Sequence, residues 1–157
     1  MLYYTEFGLS EREVPGESSI CIYISGCCHN CLHCHYPLLK EKDYGEKLSN
    51  YYKDIIDLYL RQATCVCFLG EGANTEIEHD ELRLAVEYAK LKGLKTCLYS
   101  GRDIEIEEWM HVFDYIKLGS YIERLGGLES ENTNQVFWQK INGSFVPRND
   151  LFHKYQG

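Results

Sequence analysis

No run of some 20 apolar residues occurs in this chain of 157 residues, so a membrane-spanning helix is not expected. Its first residues, "MLYYTEFGLSEREVPGE", carry acids early and lack a basic stretch followed by an apolar one. No secretory leader is therefore expected, and the expected compartment is the cytosol. Low-complexity tracts are missing too, and 45% hydrophobic with 25% charged residues are ordinary globular values. The length suits a single domain spanning 1–157 with a real core. No basic block offsets the net charge of −8, which argues against non-specific binding to nucleic acid phosphates.

Cysteine, in contrast, is plentiful. Four of the eight cysteines and three of the six histidines fall within "SGCCHNCLHCHYP", residues 25–37. In a cytosolic chain such clustering argues for metal or redox chemistry and against a disulfide framework. Cys27, Cys31 and Cys34 have the spacing C-x3-C-x2-C, and thiolate-rich sites select zinc or iron–sulfur centres. A structural zinc site needs four ligands, usually two C-x2-C pairs. Only Cys31 and Cys34 form such a pair, so a zinc site would take its fourth ligand from Cys28, His29, His33 or His35. A cubane cluster held by three cysteines would instead leave one iron open to a substrate.

The rest of the chain alternates strand and helix signals. "SICIYIS" (19–25) reads as a strand apolar on both faces that runs straight into the cysteine loop. Leu48, Tyr52, Ile55 and Tyr59 recur at helical spacing within 48–62. "TCVCFLG" (64–70) reads as a second strand, and 78–93 as a helix with acids in its first turn and Gly93 at its stop. "KTCLYSG" (95–101) follows as a third strand, 103–110 as a short helix capped by Asp103, and 112–119 as a fourth strand. This order predicts an α/β fold with a mainly parallel sheet. A complete eightfold barrel takes about 250 residues, so the expectation is a partial, open (β/α) barrel. The tail, from about residue 120 to 157, departs from the repeat, because Asn142-Gly143 between two apolar arms signals a hairpin.

These features resemble a known family. Cys27-x3-Cys31-x2-Cys34 after a buried strand of a parallel α/β domain is similar to the signature of radical S-adenosylmethionine enzymes. The whole cysteine loop resembles that of the activating proteins of anaerobic ribonucleoside-triphosphate reductase. "CVCFLGEG", "LYSGR" (98–102) and "DYIKLGSYIERLGGLESENTNQ" (114–135) look like further segments of that family. The resemblance implies a 4Fe-4S cluster on Cys27, Cys31 and Cys34, with Cys28 beside it and not ligating, and S-adenosyl-L-methionine on the open iron. It implies a glycyl-radical activase, an oxidoreductase whose protein substrate is the anaerobic reductase and whose electron donor is a reduced flavodoxin or ferredoxin. His33, Cys34 and His35 would lie where the family's backbone touches the adenine. Gly70, Glu71 and Gly72 would bind the methionyl amino group through Glu71 or a backbone carbonyl; this Gly-Glu-Gly stands where the family has Gly-Gly-acid. Ser100, Arg102 and Lys117 are implied as contacts for the cofactor's carboxylate or ribose.

Plainer readings stand beside these. Cys65 and Cys67 alternate on one strand face, and with Cys21 and Cys97 they read as small buried hydrophobes. His79, His111 and His153 are isolated and read as surface or satisfied core positions. Lys117 reads equally as a solvated strand end, and "TNQ" (133–135) as a capped turn. Two further classes of function compete: a radical enzyme acting on another glycyl-radical protein or a small molecule, and a non-enzymatic zinc or electron-transfer module.

Overall fold

The computed structural model describes residues 1–25 and 45–153; the cysteine segment proper lies outside them. Eight strands form one open sheet in the order β3-β1-β2-β4-β5-β6-β7-β8. In chain order these are β1 (Tyr3–Ser10), β2 (Ser19–Ile24), β3 (Glu46–Lys47), β4 (Cys65–Leu69), β5 (Lys95–Tyr99), β6 (Tyr115–Leu118), β7 (Val136–Ile141) and β8 (Ser144–Pro147). Among the described residues three helices accompany them, α1 (Leu48–Tyr59), α2 (Glu76–Leu91) and the short α3 (Asp150–His153), with a 3₁₀ turn over Glu108–Val112.

The α/β class and the open sheet agree with the sequence reading, but a mainly parallel sheet does not. Parallel pairing is confined to β2–β4, β4–β5 and β5–β6. The flanking ladders β1–β2, β1–β3, β6–β7 and β7–β8 are antiparallel, so antiparallel ladders prevail. Connection length explains part of this. Residues 11–18 join β1 to β2, too few for the dozen or so that a parallel crossover needs. The strand at 19–25 is thus the second strand. β7 and β8 meet through Asn142-Gly143, both at positive φ (52° and 82°), which is the geometry of the expected two-residue hairpin turn.

Burial on both faces organises the middle of the sheet. One face carries Ile20, Ile22, Ile24, Val66, Phe68, Leu98 and Ile116 against α1, α2 and the 3₁₀ turn. On the other, Cys21, Cys67 and Cys97 stand opposite one another across three strands, packed with Cys65, Tyr115, Phe137, Leu128 and Val14. These four cysteines are free and buried, and burial pushes the Cys97 thiol up to about 11. They are packing residues, too protonated to serve as thiolates. Among the described residues no group of His, Cys, Asp and Glu is placed to hold a metal. Nor is any described helix long and apolar enough to cross a membrane.

Two boundaries move for local reasons. α2 begins at Glu76, two residues before the expected start, because the Glu78 carboxylate reaches back to the Thr75 backbone N–H at 3.3 Å and closes a capping arrangement. Asp103 caps no helix. Its carboxylate instead accepts the Ser120 N–H and hydroxyl, each at 2.9 Å, and the Asn134 amide at 3.2 Å, and helical geometry starts only at Glu108.

Phe68 is fully buried and meets Phe113 edge-on at 6.3 Å. Phe68→Ala is expected to cost about 3–5 kcal/mol in urea unfolding. Leu91→Ala, at a helix position 81% exposed, is expected to change stability by less than about 0.5 kcal/mol. Equal losses from the two variants would contradict this placement of the core.

Candidate functional site

Parallel strands place all their carboxyl ends at one edge, and crevices there are the usual ligand sites of such sheets. Ser25 follows β2 at this edge, Gly70–Gly72 follow β4, Ser100–Arg102 follow β5, and Gly119 follows β6. Backbone bonds stitch these ends together beyond the ladders: Gly70 N–H to Tyr99 carbonyl at 2.9 Å, Ser100 N–H to Lys117 carbonyl at 2.8 Å, and Gly119 N–H to Arg102 carbonyl at 2.9 Å. Cys27, Cys28, Cys31, His33, Cys34 and His35 lie outside the described residues. Their segment departs from Ser25, whose carbonyl is 3.9 Å from where a Cβ on Gly72 would stand.

The glycines of the turn answer to space as well as to φ. Gly70 and Gly72 have φ of 116° and 67°, which L side chains rarely adopt. A Cβ on Gly72 would come within 2.6 Å of Leu2 Cδ2, and one on Gly70 within 3.2 Å of the Ile24 carbonyl oxygen. The turn is thereby pressed against the end of β2, with Glu71 between two residues that must stay small.

Glu71 is 2% exposed. Its Oε1 accepts the Ser100 hydroxyl at 2.8 Å and a hydrogen bond from Arg102 Nε. Oε2 is buried and has no hydrogen-bond partner among the described residues. Arg102 continues to Glu107, donating from Nη2 to Oε1 at 2.7 Å, and the same oxygen takes the Trp109 indole N–H at 2.8 Å. Trp109 stacks on His79 at 3.8 Å between ring centres and 10° between planes. His79 Nε2 is bonded to Asn74 Oδ1. Burial lowers the Arg102 guanidinium and the two carboxylates outweigh it, holding it above its usual value. The bond from Arg102 holds Glu107 below the ordinary carboxylate value. Burial holds His79 below its usual value, against the neighbouring carboxylates.

Beside this knot runs an in-register row on the cysteine face: Tyr23, Leu69, Tyr99 and Lys117. The Lys117 ammonium lies 5.2 Å over the Tyr99 ring, and it is 9% exposed. It is therefore a buried cation of the strand ends and no solvated tip. The Tyr99 hydroxyl donates to the Glu13 carbonyl, and burial raises the Glu13 carboxyl while Lys117 lowers it.

Of the residues expected from sequence, Gly70, Glu71, Gly72, Ser100 and Arg102 come together in one network, with Lys117 on the adjoining strand end. Ser100 and Arg102 are bonded to Glu71, so the atoms expected to meet a ligand are engaged inside the protein. Glu107, Trp109 and Asn74 were not read as site residues. Only the arginine and glutamate of "RDIEIE" hinted at a pair, and a span of five residues matches no regular element. His79 is satisfied, as expected for an isolated histidine. "TNQ" does more than turn: Asn134 also donates to the Ser120 carbonyl at 3.0 Å, and Gln135 to that of Gly119 at 3.3 Å. No protein-family model and no curated protein matches this chain.

The lowered pKa of Glu107 fixes the sign of an acid dependence. A carboxylate depressed in the fold stabilises above its unfolded value, near 4.5, and that contribution is lost as pH falls through the folded value. The pair is partly exposed, so Glu107→Gln is expected to lower stability by about 0.2–1 kcal/mol at pH 7. In urea unfolding the gap to the parent should close below pH 4.5; a gap independent of pH would contradict the pairing.

Proposed function

We propose that the protein is a radical S-adenosylmethionine enzyme, and specifically a glycyl-radical activase acting on an anaerobic ribonucleoside-triphosphate reductase. The observation that carries this reading is a coincidence of place. The segment bearing Cys27, Cys31 and Cys34 departs at Ser25, against the glycine turn that holds a buried carboxylate with one oxygen unpartnered. An unsatisfied buried acceptor at the strand-end edge suits a cationic nitrogen, and the donor set of three clustered thiolates suits an iron–sulfur centre.

In this reading Cys27, Cys31 and Cys34 hold a 4Fe-4S cluster, and backbone around His33 and His35 borders the adenine. Glu71 or a carbonyl of its turn takes the methionyl amino group, and Lys117 faces the carboxylate or ribose. When bound, the cluster supplies one electron that cleaves S-adenosylmethionine to methionine and a 5′-deoxyadenosyl radical, which removes hydrogen from a glycine of the reductase. The protein's own part is to orient the cofactor and exclude water. Tyr23, Leu69 and Tyr99 provide a half-buried apolar floor for that purpose. We read the open sheet as part of a barrel curled around this floor, with its open side admitting a protein substrate. Cytosolic residence and a flavodoxin or ferredoxin donor belong to the same proposal. An acidic donor meeting this acidic chain would need a local basic face.

The test is anaerobic reconstitution with iron and sulfide, reduction, and an assay of 5′-deoxyadenosine with and without the reductase. The nucleoside together with a glycyl-radical signal on the partner is the expected result. Nucleoside without that signal would leave the radical chemistry and replace the substrate. No nucleoside from a fully loaded, reduced protein would favour a closed metal module.

A further inference from the structure

Glu71 has an unusual division of labour between its two oxygens. Oε1 is engaged by two donors, the Ser100 hydroxyl and Arg102 Nε, while Oε2, equally buried, has no partner among the described residues. A buried carboxylate able to rotate would be expected to share its donors between both oxygens, because leaving an acceptor bare in the interior is costly. Rotation is prevented from behind. Arg102, with its side chain 16% exposed, is itself fixed through Nη2 by Glu107. The same Glu107 oxygen accepts the Trp109 indole N–H, and Trp109 lies flat on His79, which is bonded to Asn74 at the approach to α2. The chain of contacts thus runs from the first turn of α2, through the 3₁₀ turn, to the carboxyl end of β4. Each link has a rigid, planar group in it, and a guanidinium bridging two carboxylates is a geometry that lysine does not reproduce.

We infer that Arg102 is a positioning residue: buttressed by Glu107 and Trp109, it locks Glu71 so that Oε2 alone is presented to the amino group of the bound amino-acid moiety. This rests on the reading of the glycine turn as the place of that amino group. It assigns Arg102 a role different from contact with a ligand carboxylate or ribose. A residue that acts through Glu71 should matter only for ligands that carry the amino group. A direct contact, or a merely structural residue, should matter for all of them.

The test measures binding by equilibrium dialysis to the anaerobically reconstituted full chain, using S-adenosylmethionine and its analogue lacking the α-amino group. Arg102→Gln is expected to weaken S-adenosylmethionine by about tenfold or more, the scale of one charge-assisted hydrogen bond, and to leave the analogue unchanged. Arg102→Lys should recover only part of the loss. Should Arg102→Gln fail to fold, Glu107→Gln removes the buttress without touching Glu71 and should show a smaller loss, again confined to the ligand with the amino group. Equal losses for both ligands, or no loss for either, would overturn the positioning role while the site itself stands. A parent protein that binds the analogue as tightly as S-adenosylmethionine, or binds neither, would overturn the amino-group reading and this inference with it.

Discussion

Parallel pairing of β2, β4, β5 and β6 is the constraint on which the rest of the molecule depends. A parallel ladder must be covered on both faces, and this chain covers them by different means. On one face branched aliphatics and Phe68 meet the helices; on the other a row of protonated cysteines and aromatic rings meets the turns and tail. The same pairing sets the carboxyl ends of these four strands along one edge, so glycine turn, arginine, lysine and the start of the cysteine segment become neighbours without any of them being near in sequence.

Charge at that edge is handled locally. A carboxylate with 2% exposure is tolerable because a guanidinium and a hydroxyl face it, and the guanidinium in turn is shared with a second, more exposed acid. Such a pair contributes little net stability once desolvation is counted. Its value lies in fixing where a negative charge stands. Lys117, buried over Tyr99, provides a positive counterpart two strands away. In the proposed function, these opposite charges along the strand-end edge would suit a ligand that itself carries an ammonium and a carboxylate.

The buried strands and both long helices were legible because their residues alternate or recur at the right periods over several turns. β1 was not: its residues include Glu6 and Gly8, both poor strand formers, and a bulge between Tyr4 and Glu6 shifts its register. Without β1 the sheet read as mainly parallel. Asp103 had the composition of a helix cap, yet its partners came from Ser120 and Asn134, contacts that local pattern does not encode. The candidate residues Glu71, Ser100 and Arg102 were picked out individually, whereas their mutual bonding was hidden, since 31 residues separate Glu71 from Arg102 and only the β4–β5 register unites them. The division of the eight cysteines was the most legible feature. Four lie within strands and pack, and four crowd into one short stretch of sequence that no strand or helix pattern accounts for.

That stretch bears the central claim, that three thiolates hold a cluster with one iron left open. Electron paramagnetic resonance of the reconstituted, reduced protein, recorded before and after adding S-adenosylmethionine, tests it most directly. The account predicts a reduced iron–sulfur signal that shifts when the cofactor enters the coordination of the open iron, and that is lost in Cys31→Ala but kept in Cys65→Ala. A signal indifferent to the cofactor, or a colourless protein carrying zinc, would contradict it.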